Sequence, residues 1–226
     1  MRRAAAGTGF NPLNITNLKL WYDISDIGTV GTSGSNITSV SDKSTTGNAL
    51  ICEVLRNPTV SSLSGRQCAL LNGITQGFVT TSNVTMTKGS YLIALKYEAT
   101  PVGAHDIIVH QNAPFNELYL SGAGINTYSG ANNNHSTDLD TSVHVLTVVF
   151  GASDVKAYVD GTITAANGSN VSGSALNDTI SIGYYKNAAV NFSNMKVGEI
   201  IVVDGTITES DRVRAQNYLR LKWATP

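Results

Sequence analysis

The sequence predicts an antiparallel β-sandwich of two sheets that carries one helix at its C-terminal end. Three observations lead there. Short runs of alternating apolar and polar residues recur along the chain, with turn-forming residues between them. Ser, Thr, Asn and Gly fill the polar positions, and only 14% of the 226 residues are charged, which suits strands and turns better than exposed helices. One segment alone, close to the C-terminus, combines a capping residue with helical spacing. A chain of this length still forms one sandwich domain and buries roughly 70–75% of its unfolded surface.

Residues 1–17 precede the alternating pattern and are expected to form an arm, with residues 18–226 as the domain. Arg2, Arg3, Phe10 and Leu13 are the arm's candidates for anchoring. The arm either docks on a partner, by strand addition or into a groove, or folds back on its own domain. Leu18-Lys19-Leu20-Trp21-Tyr22-Asp23 then alternates with period two, placing Leu18, Leu20 and Tyr22 on one face and Lys19, Trp21 and Asp23 on the other. The stretch 28–48 reads as loop around one weak strand. Further strands are expected at 49–54, 67–71, 77–81, 90–97, 106–110, 117–120, 143–150, 155–159, 179–184 and 196–203. Asp160-Gly161 supplies the two φ > 0 positions of a type I′ turn, so Val155, Ala157 and Val159 share a core face. In the helix, Thr208 is the N-cap and Asp211 completes a capping-box-like pair. Ala215, Tyr218, Leu219 and Trp223 form its apolar stripe, with Arg220 and Lys222 at the dipole's negative end.

Several function classes are disfavoured on composition and spacing. Net charge is −1 and the basic residues are scattered, so no nucleic-acid partner is expected. No apolar run reaches the ~18–20 residues of a membrane helix. The basic start has no apolar stretch behind it, so no secretory signal is expected and the chain is expected to be made in a cytoplasm. Cys52 and Cys68 lie in apolar segments and read as small buried residues, a bridge between them being the lesser alternative. There is no Gly-x-Ser-x-Gly elbow. His105, His110, His135 and His144 lack metal-ligand spacing; His144 at a strand start reads as structural and His135 in a polar loop as solvated. Glu53, Glu98, Glu117, Glu199 and Glu209 lack the Glu-x-Asp-x-x-Glu spacing of a glucanase strand. No enzyme is expected.

Three segments carry a resemblance. Leu18 to Asp26 with Ser41-Asp42-Lys43-Ser44-Thr45-Thr46-Gly47-Asn48-Ala49 is similar to an opening "glxLWlDasD" strand and its "W-x-D-K-S-G-x-G-N" loop. His144 to Phe150 with Val155 to Gly161 is similar to paired strands ending in "yvDG". Ile182-Gly183, Gly198-Glu199-Ile200-Ile201-Val202-Val203-Asp204 and Thr208 to Trp223 are similar to a closing "IG…GEiivyd…YLk.KW" unit. Together they resemble the concanavalin A-like, laminin-G-type jelly-roll domains of phage virion and bacterial surface proteins. Val40 and Leu71-Asn72-Gly73 depart from that pattern.

The resemblance implies an antiparallel two-sheet jelly roll, concanavalin A-like, with one C-terminal α-helix. It also implies calcium as the usual ion, for which Asp23 and Asp26, or Asp138 and Asp140, are candidates; ordinary turn-capping by these residues is the alternative, and no other cofactor is expected. With low charge and no catalytic set, it leads to the expectation of a structural virion protein, a capsid decoration or tail-associated subunit. Its partners would be other virion proteins or copies of itself. The alternative is a lectin-like module for a host surface glycan. Sugars are commonly held by an aromatic ring and side-chain amides, and Tyr128 with Asn132, Asn133, Asn134 and His135, or Tyr184-Tyr185 with Asn187, offers that pattern. The plain alternative is an Asn-rich turn beside edge aromatics.

Overall fold

The computed structural model describes residues 9–52, 56–110, 116–164, 168–169 and 175–223. Two antiparallel layers enclose a core, and the helix packs on the outside of the first. Alternation along Asn194–Asp204 shows how this arises. Met195, Val197, Ile200 and Val202 enter the core between the layers, while Glu199, Ile201 and Val203 alternate with the last of them and face the helix. This strand pairs on one side with Leu18–Asp23 and Arg66–Asn72. On the other side it pairs with Gly89–Tyr97, which leads through Val143–Phe150 to Asp154–Val159. Both faces of this layer are covered, so its strands are apolar on both sides.

The second layer runs from Asn132–Asp138 through Gly124–Tyr128, Asn116–Ser121, Ala104–His110 and Ile180–Ile182. Phe78–Thr80, Leu50–Ile51, Asn36–Val40 and Val30–Ser33 complete it. Its inner face supplies Ile108, Leu118, Leu120, Ile125, Ile180 and Phe78 to the core. The jelly-roll sandwich expected from the sequence is therefore the observed architecture.

Some local expectations hold in detail. Asp160 and Gly161 have φ of 50° and 87°, and Val159 pairs with Thr162 across them. The helix spans Glu209–Trp223, capped by the Thr208 hydroxyl, which accepts from Asp211 N at 3.1 Å. Others need correction. A register shift between Leu18 and Leu20 turns Leu18 toward the helix side, away from Leu20 and Tyr22. The stretch read as one weak strand is a hairpin of Val30–Ser33 and Asn36–Val40. The segment expected at 49–54 is a strand at Leu50–Ile51, and 53–55 lies outside the described residues. Cys68 is buried on the helix side and Cys52 is half-buried against the central core; both are free, on opposite sides of the first layer.

Part of the arm folds back on the domain. Phe10 lies 5.7 Å from the Tyr218 ring, with the Arg214 guanidinium 5.1 Å from its own centroid, and Ile15 is buried. Phe10 is thus engaged by the chain's own helix. Leu13 is 48% exposed. Arg2 and Arg3 lie outside the described residues.

Candidate functional site

Most residues that carry the family resemblance build the fold's interior. Glu199 is fully buried beneath the helix and saturated with donors. Its Oε1 accepts from Trp21 Nε1 at 2.7 Å and the Tyr218 hydroxyl at 2.9 Å. Its Oε2 accepts from Lys222 Nζ at 2.7 Å and Trp223 Nε1 at 3.1 Å. Lys222 also bridges to Asp23 at 2.7 Å. Lys43 Nζ sits 2.6 Å from Asp26 and 3.5 Å from Asp23, so an ammonium occupies the space between the two carboxylates named as calcium candidates. Asp42 is likewise committed, accepting from Trp21 N, Ser44 N and the Thr46 hydroxyl at 2.6–2.9 Å. Of the other calcium candidates, Asp140 accepts from Ser142 N at 2.6 Å and stands 3.0 Å from His144 Nε2. His144 is also 2.7 Å from Asp160, as befits a structural histidine. Among the described residues no group of three or more His, Cys, Asp and Glu converges in the manner of a metal site.

The outer face of the second layer is different. Leu118, Leu120 and Ile125 point into the core, so alternation turns Glu117, Tyr119, Asn126 and Tyr128 outward. Strand register aligns them in two rows. Asp106, Tyr119, Asn126 and Asn134 stand side by side across four strands. The adjacent row is Val109, Glu117, Tyr128 and Asn132. Tyr119 reaches diagonally between the rows, its hydroxyl donating to Asn132 Oδ1 at 3.3 Å.

Beside Tyr119 a register shift between Asp106 and Ile108 re-aims the Asp106 side chain toward Glu117. Asp106 is fully buried, and the loop after Ile180–Ile182 fixes it. Its N–H donates to Asn191 O at 2.9 Å, its carbonyl accepts from the Ser193 hydroxyl at 2.7 Å, and Asn191 Nδ2 donates to Oδ1 at 3.4 Å. His105 pins the same loop, with Nδ1 2.8 Å from Phe192 O and Nε2 2.9 Å from Val102 O. Asp106 Oδ2 is buried and meets no hydrogen-bond partner among the described residues.

Burial pushes Asp106 well above the ordinary carboxylate range, and the neighbouring Glu117 adds to the rise. Burial also raises Glu117, while the hydrogen bond from Asp106 works the other way. The two carboxyls therefore titrate as a pair held above the ordinary carboxylate range, with the Glu117 side chain on the outward face. Tyr119 is raised too, first by burial and then by the two carboxyls.

The structure sorts the sugar-binding candidates accordingly. Tyr128, Asn132 and Asn134 lie together on this face. Asn133 alternates inward beside Thr127 and is buried. His135, expected to be solvated, is fully buried with Nε2 3.0 Å from the Thr127 hydroxyl. Tyr185 lies in the loop that holds Asp106, its N–H donating to Val190 O at 3.0 Å. Tyr184 is buried and stacked on Phe192, 5.4 Å between centroids. Asp106, Glu117, Tyr119 and Asn126 were not singled out from the sequence as binding residues. The signal available in the sequence is an acid, Asp106, directly before the apolar run Ile107-Ile108-Val109 of one strand.

No family model and no curated protein matches the sequence. Solved structures do match the fold. A Trypanosoma rangeli sialidase in complex with sialic acid aligns with a TM-score of 0.65 and 11% identity, over 93% of this chain and 34% of the sialidase. Domain 4 of AbnA, a GH43 extracellular arabinanase from Geobacillus stearothermophilus, in complex with arabinotriose, aligns at 0.64 and 15% identity, over 89% of this chain and 98% of that domain. The chain therefore shares its sandwich with pieces of carbohydrate-active proteins. It spans about a third of the sialidase's length. These two matches correct the expectation that no enzyme is involved, because one is an enzyme and the other a domain of one. They lend nothing to a virion role.

Proposed function

We propose that this chain is a carbohydrate-recognition module that binds glycan on the outer face of its second layer. The observation that carries this is the clustering of Tyr119, Tyr128, Asn132 and Asn134 around the outward Glu117 carboxylate. Rings give a flat apolar surface for a pyranose or furanose face, while amides and a carboxylate exchange hydrogen bonds with hydroxyls. The fold likeness supports the proposal, since the matched arabinanase domain is held in complex with arabinotriose. A virion subunit anchored by its arm has less behind it, because Phe10 already packs on Tyr218.

The test is a glycan panel read with the purified chain, followed by calorimetry on the best hit. Saturable binding is expected, weakened at least about tenfold by Tyr128→Ala, the usual scale for a central aromatic contact. The variant should remain folded, as its melting curve would show. No binding across the panel, or binding indifferent to Tyr128→Ala, would overturn the proposal.

A further inference from the structure

We propose that this face takes neutral, hydroxyl-rich glycans and turns anionic ones away, and that Glu117 sets the choice. The inference rests on the carbohydrate recognition proposed above and adds the chemical class of the sugar.

Among the described residues, every polar group placed on the face near Glu117 is neutral or acidic. Tyr119, Asn126, Tyr128, Asn132 and Asn134 carry no charge, and Asp106 lies directly beneath Glu117. No cation among the described residues acts on either carboxyl. The positive side chains of the neighbouring loops are turned to other work. Lys186 Nζ donates to Thr179 Oγ1 at 3.3 Å, and the Arg56 guanidinium lies over Tyr184 and Phe192, 5.5 and 5.8 Å from their centroids. His105 points both ring nitrogens at backbone carbonyls.

A neutral sugar meets this surface well. Its hydroxyls donate to Glu117 and exchange hydrogen bonds with the amides. A uronic or sialic carboxylate meets no positive partner there. It would give up hydration beside a fixed negative charge in a half-buried setting, where repulsion is felt more strongly than in water.

Matched pairs of oligosaccharides isolate the charge. Glucose- and glucuronate-terminated chains of one linkage differ only in a carboxylate, and arabinan- and galacturonan-derived oligosaccharides widen the range. The wild type should bind each neutral member at least about tenfold more tightly than its acidic counterpart. Glu117→Gln keeps the size and an acceptor oxygen while removing the charge, and should narrow that ratio to within about threefold. Asp106→Asn, which leaves Glu117 in place, should keep the wild-type preference for neutral sugars. Equal or tighter binding of the acidic members by the wild type would overturn the inference, as would an unchanged ratio in Glu117→Gln. Binding that depends on Tyr128 yet ignores charge would overturn this inference alone. An absence of any glycan binding would overturn the carbohydrate proposal with it.

Discussion

Two acid clusters lie on the outer faces of the two layers, and they are built in opposite ways. Glu199 and Asp23 sit under the helix, where two indoles, a phenol and Lys222 share out the Glu199 oxygens and Lys222 joins the two carboxylates. Among the described residues Asp106 and Glu117 have no cation beside them and one amide, that of Asn191. The first cluster has no bonding capacity left for a ligand and ties the helix to the sheet. The second keeps an outward carboxylate whose acceptor sites are open to one. Buried charge with every partner present belongs to the fold, whereas buried charge left short of partners points to function.

The largest effect should come from breaking the saturated cluster. Glu199→Ala leaves Lys222 and both indole N–H groups without their shared acceptor and should destabilise by about 3–5 kcal/mol. Chemical denaturation would register it; a loss below about 1 kcal/mol would mean that the cluster is not what holds the helix. Gly198→Ala tests the same contact from the backbone. A Cβ there would lie 2.7 Å from the Trp223 ring, and this overpacking should cost about 1–3 kcal/mol. Sugar binding by the folded fraction should survive both changes.

The second cluster should respond with the opposite sign. Both of its carboxyls titrate above their unfolded values of about 3.9 and 4.3. Their favourable contribution is therefore complete at acid pH below those values, and it is lost as pH rises through the raised folded values. Asp106→Asn removes that loss, so the variant should gain on the wild type from pH 5 to pH 9, as melting curves across the range would show. Asp23, held low by the Lys222 and Lys43 contacts that outweigh its burial, behaves in reverse, contributing above its unfolded value and losing that contribution as pH falls through the lowered one. An Asp106→Asn variant whose advantage shrinks toward alkaline pH would break the contrast. Tyr119→Phe is the mildest probe. It deletes only the bond to Asn132 and should cost no more than about 1 kcal/mol of stability, while sugar binding weakens measurably.

The saturated cluster was legible in the sequence and the open one was not. Trp21, Asp23, Glu199 and Trp223 fall within local patterns that resemble a known family, and the capped helix declares its own stripe. Glu117 appeared only as a glutamate without a catalytic spacing. Its partnership with Asp106 depends on a register shift between two strands, which no local pattern encodes. The segment Asn132–Asp138 has the low strand propensity of its asparagines and reads locally as a polar turn, and it becomes a strand by pairing with Gly124–Tyr128. Its alternation then separates Asn132 and Asn134 from Asn133, a division that three identical residues in a row conceal.

The most direct measurement is an NMR titration of the labelled chain with a neutral oligosaccharide, following both regions at once. The Tyr119 and Tyr128 ring signals and the Glu117 carboxyl carbon should shift saturably with one dissociation constant, while the Trp21 and Trp223 indole N–H signals stay in place. Shifts confined to the indoles, with the tyrosines unmoved, would contradict the assignment of the open face as the binding site.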